Sequence, residues 1–228
     1  MKSTWMIGTV LTAALFVVTG CGTTSSVANN NVPQAGTQSN VVNDKAPQVT
    51  AERWKSMPKM SIQTNKQYTA LVHTNYGDFS IQLFAKNSPK TVNSFVFLAD
   101  HKFYNGDKFF RIIQSFMIQT GDPNNNGTGG PGYNIPDELP PSVPYTAGVV
   151  AMANTGQPNS GGSQFFICTM NDAQQLTKNY TELGKVVSGM NVVQKIAAIP
   201  VVANPNMGGE MSKPTKDAFI QSITITVH

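Results

Sequence analysis

From Tyr68 to the end of the chain, short apolar segments alternate with turn residues, and this pattern constrains the fold more than any other sequence feature. Short apolar runs bounded by Gly, Pro, Asn and Asp are typical of β-strands. Because most connections are short, antiparallel pairing is favoured over βαβ units. The predicted strands are Tyr68–Thr74, Phe79–Phe84, Phe109–Ile113, Phe116–Thr120, Gly148–Ala153, Phe165–Thr169, Leu183–Val186 and Phe219–Val227.

Two helices are predicted between these strands. Ser88 is placed as the N-cap of the first, and Pro89 follows at a position where its missing N–H does no harm. This helix is expected to end near Asp100, and the second covers Met190–Ala197. The fold class is therefore mainly β, a closed eight-stranded antiparallel barrel capped by two helices. The loop from Pro200 to Lys216 gives no clear prediction.

The N-terminus has the order of a secretory signal peptide: Lys2, an apolar run from Trp5 to Val18, and then small residues before Cys21. The run is shorter than the roughly 20 residues of a membrane-spanning helix. Val18-Thr19-Gly20-Cys21 resembles the bacterial lipobox, in which the cysteine is acylated and the chain is cut before it. We expect a signal peptide over residues 1–20 and a lipid on Cys21; the alternative is an ordinary signal with a coincidental cysteine.

The segment from Gly22 to about Thr50 is polar, has no aromatic residue and carries only Asp44 and Lys45 as charges. Such a composition cannot bury enough apolar surface to fold. We interpret residues 21–66 as a lipidated cysteine and flexible tether, with a cleavable pro-segment as the alternative, and residues 67–228 as one domain. Within the tether, Ala51 to Lys66 is ambiguous, because it could also pack on the domain.

Several function classes are excluded. Charged residues make up 12% of the chain, the net charge is +4, and no run of Lys or Arg suggests nucleic-acid binding. The three histidines are far apart, which argues against a zinc site. No phosphate-binding glycine loop and no G-x-S-x-G nucleophile motif is present. No cofactor is implied.

Two long motifs remain, Phe109 to Asp122 and Gly148 to Asn154, the latter continuing at Gly162 to Thr169. With these motifs the chain resembles the cyclophilins, and the resemblance extends over about Tyr68 to His228. It implies a barrel of the predicted kind and peptidyl-prolyl cis/trans isomerase activity. The expected partners are proline-containing unfolded or exported polypeptides and, through the lipid, a membrane; the expected state is a monomer.

The resemblance also implies a site. Arg111 would donate a hydrogen bond that weakens the amide resonance of the X-Pro bond, with Gln119 orienting it. A proline pocket and its rim would be formed by Phe116, Met117, Ala153, Asn154, Gln164, Phe166, Leu176 and Tyr180. Each apolar member could instead be ordinary core, Arg111 a surface residue, and Asn154 a structural amide.

Side-chain alternation adds one prediction about this site. Strict period 2 cannot place Arg111, Phe116 and Gln119 on one surface. A turn or bulge near Gln114-Ser115 is therefore required.

Predictions can also be made for two further residues. Gln175 stands where many eukaryotic cyclophilins have a tryptophan, which predicts weak inhibition by cyclosporin. Cys168 is expected to be an inert buried thiol.

The resulting hypothesis is a lipid-anchored prolyl isomerase that acts on exported proteins outside the cytoplasmic membrane. A non-catalytic chaperone or adaptor that holds proline segments is the main alternative. A surface adhesin would fit the tether but would leave the pocket unexplained.

Overall fold

In a computed structural model, which describes residues 53–170 and 176–228, ten strands and two α-helices are formed. The strands are β1 Tyr68–Thr74, β2 Gly77–Leu83, β3 Arg111–Ile113, β4 Met117–Thr120, β5 Val149–Met152, β6 Phe165–Cys168, β7 Glu182–Ser188, β8 Val201–Asn204, β9 Glu210–Pro214 and β10 Ile220–Val227. Helix α1 covers Pro89–Asp100 and α2 covers Met190–Ala197. Both helices have the predicted bounds.

Eight of the strands form one antiparallel sheet in the order β10-β1-β2-β7-β5-β6-β4-β3. The sheet curls, so that the segment before β3 meets the start of β10. There Gly106 N–H donates to the Ile220 carbonyl at 2.7 Å, and Phe109 N–H donates to the Ala218 carbonyl at 2.8 Å. The prediction was a closed eight-stranded antiparallel barrel with two helices. The mainly β class, the eight antiparallel strands and the two helices are confirmed, and the sheet is curled into a half-barrel.

Strands β4, β5 and β6 are buried along their whole length. Alternate side chains face opposite sides of a strand. On one side Ile118, Val150 and Ile167 join the main core. On the other, a second apolar cluster contains Met117, Val149, Ala151, Phe166 and Cys168. This second face of the sheet carries the site described below.

The start of α1 differs from the prediction in its capping. Ser88 occupies the N-cap position, but its side chain makes no capping hydrogen bond. The carboxylate of Glu138 accepts hydrogen bonds from the N–H groups of Lys90 at 3.0 Å and Thr91 at 2.9 Å instead. A carboxylate from a distant loop therefore satisfies donors that the sequence assigned to Ser88.

Residues 53–66 lie against the domain. Trp54 packs edge-on against Phe97 with ring centroids 5.2 Å apart, and the backbone N–H of Trp54 donates to the Pro131 carbonyl at 2.8 Å. Asn93, fully buried in α1, accepts from Ser61 N–H at 2.8 Å. The ambiguous stretch thus packs on the domain, and the boundary drawn at residue 67 falls inside the folded unit.

The loop Pro200 to Lys216, which matched no predicted element, contains the hairpin of β8 and β9. The hairpin lies beside β3. The predicted signal peptide, Cys21, the tether up to residue 52 and Gln175 lie outside the described residues. Among the described residues, no helix is both long and apolar enough to span a bilayer.

Candidate active site

The turn between β3 and β4 brings the predicted polar residues together. Ser115 has a positive φ of 61°, and Phe116 N–H donates back to the Ile113 carbonyl at 3.1 Å. Because of this turn, Arg111 pairs directly with Gln119 in the antiparallel ladder. The predicted break near Gln114-Ser115 is confirmed.

A chain of hydrogen bonds runs from Arg111 across the sheet. Arg111 Nη1 donates to Gln119 Oε1 at 3.0 Å, and Gln119 Nε2 donates to Gln164 Oε1 at 3.0 Å. Gln164 Nε2 then donates to the carbonyls of Gly127 at 3.1 Å and Gly129 at 2.9 Å. Each amide therefore accepts on one side and donates on the other, which orients all three side chains.

The other edge of the guanidinium is held by Glu210, a residue that the sequence analysis did not identify. Arg111 Nε donates to Glu210 Oε1 at 2.8 Å, and Arg111 Nη2 donates to Glu210 Oε2 at 2.7 Å. The hydrogen bond from Arg111 lowers the pKa of the Glu210 carboxyl below its usual value of 4.5. Glu210 lies on β9, in the segment that matched no motif, so no sequence signal pointed to it.

Next to this pair lies a cavity of about 670 Å³. All ten residues predicted for catalysis and substrate binding line it: Arg111, Phe116, Met117, Gln119, Ala153, Asn154, Gln164, Phe166, Leu176 and Tyr180. Met117 and Phe166 were predicted to be either pocket residues or core residues, and each of them is both. They belong to the second apolar cluster and are 3% and 5% exposed, yet they also border the cavity.

Aromatic packing and two hydrogen bonds hold the apolar wall of the cavity in place. The ring of Tyr180 stands edge-on to Phe166, with centroids 5.3 Å apart at an interplanar angle of 89°. Behind it, the Tyr145 hydroxyl donates to the Tyr180 carbonyl at 2.6 Å and accepts from Tyr180 N–H at 3.1 Å. Leu176 and Phe116 are half-buried against the same cluster. The result is a small apolar recess beside a charged donor.

Cys168 and Tyr145, the ionisable groups packed behind this wall, stay neutral. Burial raises the pKa of the Cys168 thiol to about 12. Burial is also the main reason why the pKa of Tyr145 is raised to about 12. A thiol with this pKa is protonated at neutral pH and is a poor nucleophile, which agrees with the expectation that Cys168 is inert.

Asn154 lies at the rim with its side chain already engaged. Its Nδ2 donates to the Asn179 carbonyl at 2.8 Å, and its Oδ1 accepts from Gly156 N–H at 3.0 Å. The amide thus fixes two loops at the mouth of the cavity. Pairing of Asn154 with the main chain of a substrate stays a prediction.

A glycine-rich loop forms the opposite rim. The Asp122 carboxylate is buried and accepts hydrogen bonds from the N–H groups of Asn124, Asn126 and Gly127. A Cβ at Gly129 would overlap Asp122 Oδ1, so glycine is required there. Other lining residues that the sequence analysis missed include Arg53, Thr128, Tyr133, Thr155, Ser160 and Met207.

Comparison with known proteins agrees with this fold. The family described as cyclophilin type peptidyl-prolyl cis-trans isomerase/CLD matches residues 69–225. Peptidyl-prolyl cis-trans isomerase B of Streptomyces anulatus is 39% identical over 178 residues, which cover 70% of this chain and 97% of the relative. Peptidyl-prolyl cis-trans isomerase A of Mycobacterium tuberculosis is 40% identical over 179 residues, which cover 69% and 92%.

Among solved structures, a cyclophilin type peptidyl-prolyl cis-trans isomerase of Cryptosporidium parvum, crystallised in the presence of the dipeptide Ala-Pro, is similar. It has a TM-score of 0.62 and 31% identity, and the match covers 69% of this chain and 98% of that structure. Fold, site and relatives together define the class: this chain belongs to the cyclophilin-type peptidyl-prolyl cis-trans isomerases. It is an isomerase of X-Pro bonds and acts on proline-containing peptides.

Proposed function

We propose that this isomerase is anchored to the bacterial cell membrane by a lipid on Cys21 and accelerates X-Pro rotation in exported proteins, with Arg111 as its catalytic residue. The observation that carries the catalytic part is the position of the Arg111 guanidinium, which lines the same cavity as Phe116, Met117 and Phe166. The anchor is supported by the lipobox-like segment ending at Cys21.

The chemistry needs a lower rotational barrier and no covalent step. Partial double-bond character gives the C–N bond a barrier of ~18–20 kcal/mol, while the cis and trans forms of X-Pro differ by only about 0.5–1 kcal/mol. As the bond twists, the prolyl nitrogen pyramidalises and its lone pair becomes a hydrogen-bond acceptor. A donor aimed at that nitrogen stabilises the twisted state more than either ground state, which is the condition for a higher rate.

Arg111 has donors left for this task. A guanidinium carries five N–H groups, and those of Arg111 make three hydrogen bonds to Gln119 and Glu210 within the described part of the chain. The side chain is 26% exposed, so the substrate can reach it while most of its solvent is excluded. The recess formed by Phe116, Met117 and Phe166 would hold the pyrrolidine ring, and the rest of the peptide would turn against it.

The decisive test is an isomerisation assay on an Xaa-Pro peptide, by protease coupling or by NMR exchange, with the full-length protein. Arg111→Ala should lower kcat/KM by at least about 100-fold, as removal of a preorganised transition-state donor does elsewhere. Arg111→Lys should recover little, since a lysine keeps the charge but lacks the planar fork. Lys185→Ala, an exposed position on β7, is the matched control. Equal rates for wild type and Arg111→Ala would eliminate this mechanism.

The anchor has its own test. Mass spectrometry of the protein recovered from bacterial membranes should show a chain that begins at an acylated Cys21. Cys21→Ser should yield a chain that carries no lipid and keeps residues 1–20, which the same mass measurement detects. An unprocessed N-terminus, or an unmodified Cys21, would overturn the anchor and leave the catalytic proposal intact.

The substrate class is testable in the same cells. An exported protein whose refolding is limited by proline isomerisation folds over tens of seconds without catalysis. We expect the wild-type protein, but not the Arg111→Ala variant, to accelerate this slow refolding. Loss of the gene should slow maturation of exported proteins; unchanged maturation of every exported protein measured would contradict the assignment of substrates.

A further inference from the structure

Glu210 is the acidic partner of the guanidinium at the site, and it comes from a part of the chain with no role in the proposed mechanism. It is the first residue of β9, in the hairpin that connects α2 to β10. Its carboxylate takes the Nε–Nη2 edge of Arg111 through two hydrogen bonds, at 2.8 and 2.7 Å. We propose that Glu210 is a positioning residue that fixes the plane and direction of Arg111 for catalysis, an inference that rests on the proposed role of Arg111.

The two-point contact defines an orientation that one hydrogen bond would not. Parallel N–H···O bonds between a guanidinium and a carboxylate hold the two groups in one plane. Gln119 holds the remaining nitrogen, Nη1, at 3.0 Å. With every nitrogen of the guanidinium engaged, its rotation is restricted before substrate arrives. The unused N–H groups then have fixed directions, and the entropy of ordering the side chain is not lost in the transition state.

The pair is shielded enough for this geometry to persist. The side chains of Arg111 and Glu210 are only 26% and 33% exposed. Exposed ion pairs contribute little because water and salt screen them and both side chains are mobile. A half-buried, bidentate pair is held more firmly, and here its function is orientation more than stability.

The hairpin that carries Glu210 is itself fixed beside the site. Asn204 Nδ2 donates to Ser212 Oγ at 3.3 Å across the hairpin, and Thr215 N–H donates to the Pro200 carbonyl at 2.9 Å at its base. Met207, at its tip, lines the cavity and packs against Gly127. The hairpin therefore contacts the site at two points, one apolar and one charged.

Ionic pairing also changes what Arg111 presents to a substrate. The Glu210 carboxylate neutralises the guanidinium, so the pair acts as a directed donor without a net charge. The kcat/KM of the wild type should consequently depend less on ionic strength, and on charged residues placed next to proline in the peptide, than the kcat/KM of a variant without this carboxylate. With Glu210→Gln the net charge returns, and kcat/KM should depend on salt and favour acidic peptides.

The experiment measures kcat and KM separately for Glu210 variants of the full-length protein, by NMR exchange at enzyme concentrations that also resolve Arg111→Ala. Glu210→Ala should lower kcat about 10-fold with KM within about twofold, because the apolar recess that binds proline is unchanged. Glu210→Asp keeps the carboxylate, so its kcat should be higher than that of Glu210→Ala. Glu210→Gln has nearly the same volume as the wild-type residue, and its kcat should lie between those of Glu210→Ala and Glu210→Asp. Lys213→Ala, an exposed position on the same strand, is the control and should behave as wild type.

A double-mutant cycle separates positioning from a general structural role. If Glu210 acts through Arg111, Glu210→Ala should have no further effect on kcat when Arg111 is already alanine. The same fractional loss in both backgrounds would overturn the inference, as would wild-type kcat for both Glu210→Ala and Glu210→Gln. Should Glu210→Ala fail to fold, Glu210→Gln carries the same cycle.

The two proposals fail differently. Wild-type activity of Arg111→Ala would remove the proposed function and the inference together. A large loss for Arg111→Ala beside unaltered Glu210 variants would remove only the inference.

Discussion

Arg111 and Gln119 face each other across the β3–β4 ladder, and Arg111 Nη1 donates to Gln119 Oε1 at 3.0 Å. Gln119 also pairs in register with Phe166 of β6. The polar chain and the apolar wall of the cavity are thus set by the register of three neighbouring strands. A shift of one residue in β4 would send Gln119 to the core side and break both.

Gln119 should consequently be needed for rate more than for binding. We expect Gln119→Ala to lower kcat about 10-fold, because Arg111 loses one of its two anchors and Gln164 loses its donor. Gln119→Glu keeps the acceptor for Arg111 but not the donor for Gln164, so a smaller loss is expected. The peptide assay described above measures both variants.

The control for this series is Gln114→Ala in the exposed turn between the same strands. It removes an amide of the same size without touching the hydrogen-bond chain. If Gln119→Ala and Gln114→Ala have equal kcat, the chain from Arg111 to Gln164 has no role in catalysis.

Local patterns were sufficient to predict most of the fold, whereas the residues of the site followed from the resemblance to the cyclophilins. Strand β1, α1 and α2 have the predicted bounds because their apolar spacing and flanking turn residues agree. The resemblance placed Arg111, Phe116 and Gln119 in one site, and side-chain alternation then required a break near Gln114-Ser115, where Ser115 has a positive φ.

Glu210 and Glu138 could not be predicted in this way. Each acts on a residue far along the chain: Glu210 on Arg111, and Glu138 on the first turn of α1. Nothing near either carboxylate distinguishes it from a solvated surface residue. Such contacts depend on tertiary structure. The N-cap rule placed Ser88 at the correct position, but it did not show that a different side chain caps the helix.

The capping of α1 gives a second prediction. Glu138→Ala should destabilise the protein by about 1 kcal/mol, because two N–H groups of the first turn lose a carboxylate partner near the positive end of the helix. Ser88→Ala should change stability less than Glu138→Ala does, since the Ser88 hydroxyl makes no capping hydrogen bond. Urea unfolding at pH 7 measures both values. The opposite order, with Ser88 as the more important residue, would contradict this assignment.

The packing of residues 53–66 on the domain gives a third prediction. Trp54 contacts Phe97, and its ring also lies 5.9 Å from Phe103 between centroids. Trp54→Ala should cost about 2–3 kcal/mol of unfolding free energy, toward the low end for an aromatic truncation because the ring is only half-buried. Thermal unfolding compared with Lys55→Ala, its exposed neighbour, measures this. A melting temperature equal to that of the control would show that the stretch contributes nothing to stability.

Asp107 gives a prediction about pH. Its carboxyl is fully buried, and neither oxygen has a hydrogen-bond partner among the described residues. Burial, and secondarily the charge of Asp122, raises the pKa of Asp107 from 3.8 to about 8. In the folded protein this carboxyl is therefore protonated at neutral pH, whereas in the unfolded chain it is ionised.

The direction of the effect follows from proton uptake. Between about pH 4 and about pH 8 the folded state binds one proton that the unfolded state lacks, so stability falls as pH rises, by at most about 1.4 kcal/mol per pH unit from this group. Below about pH 4 the contribution of Asp107 to the free energy of unfolding does not change with pH. Above about pH 8 the full destabilisation from the buried, ionised carboxylate persists. Asp107→Asn cannot ionise and removes this dependence.

Urea unfolding of wild type and Asp107→Asn at pH 5 to 9 tests the point. The stability of Asp107→Asn relative to wild type should increase through this range and level off above about pH 8, the pKa of the folded carboxyl. Asp100→Asn, on the exposed side of α1, controls for the loss of one negative charge. Parallel curves for wild type and Asp107→Asn would mean that the carboxyl is ionised in the folded protein, which would require a cationic or donor partner for Asp107.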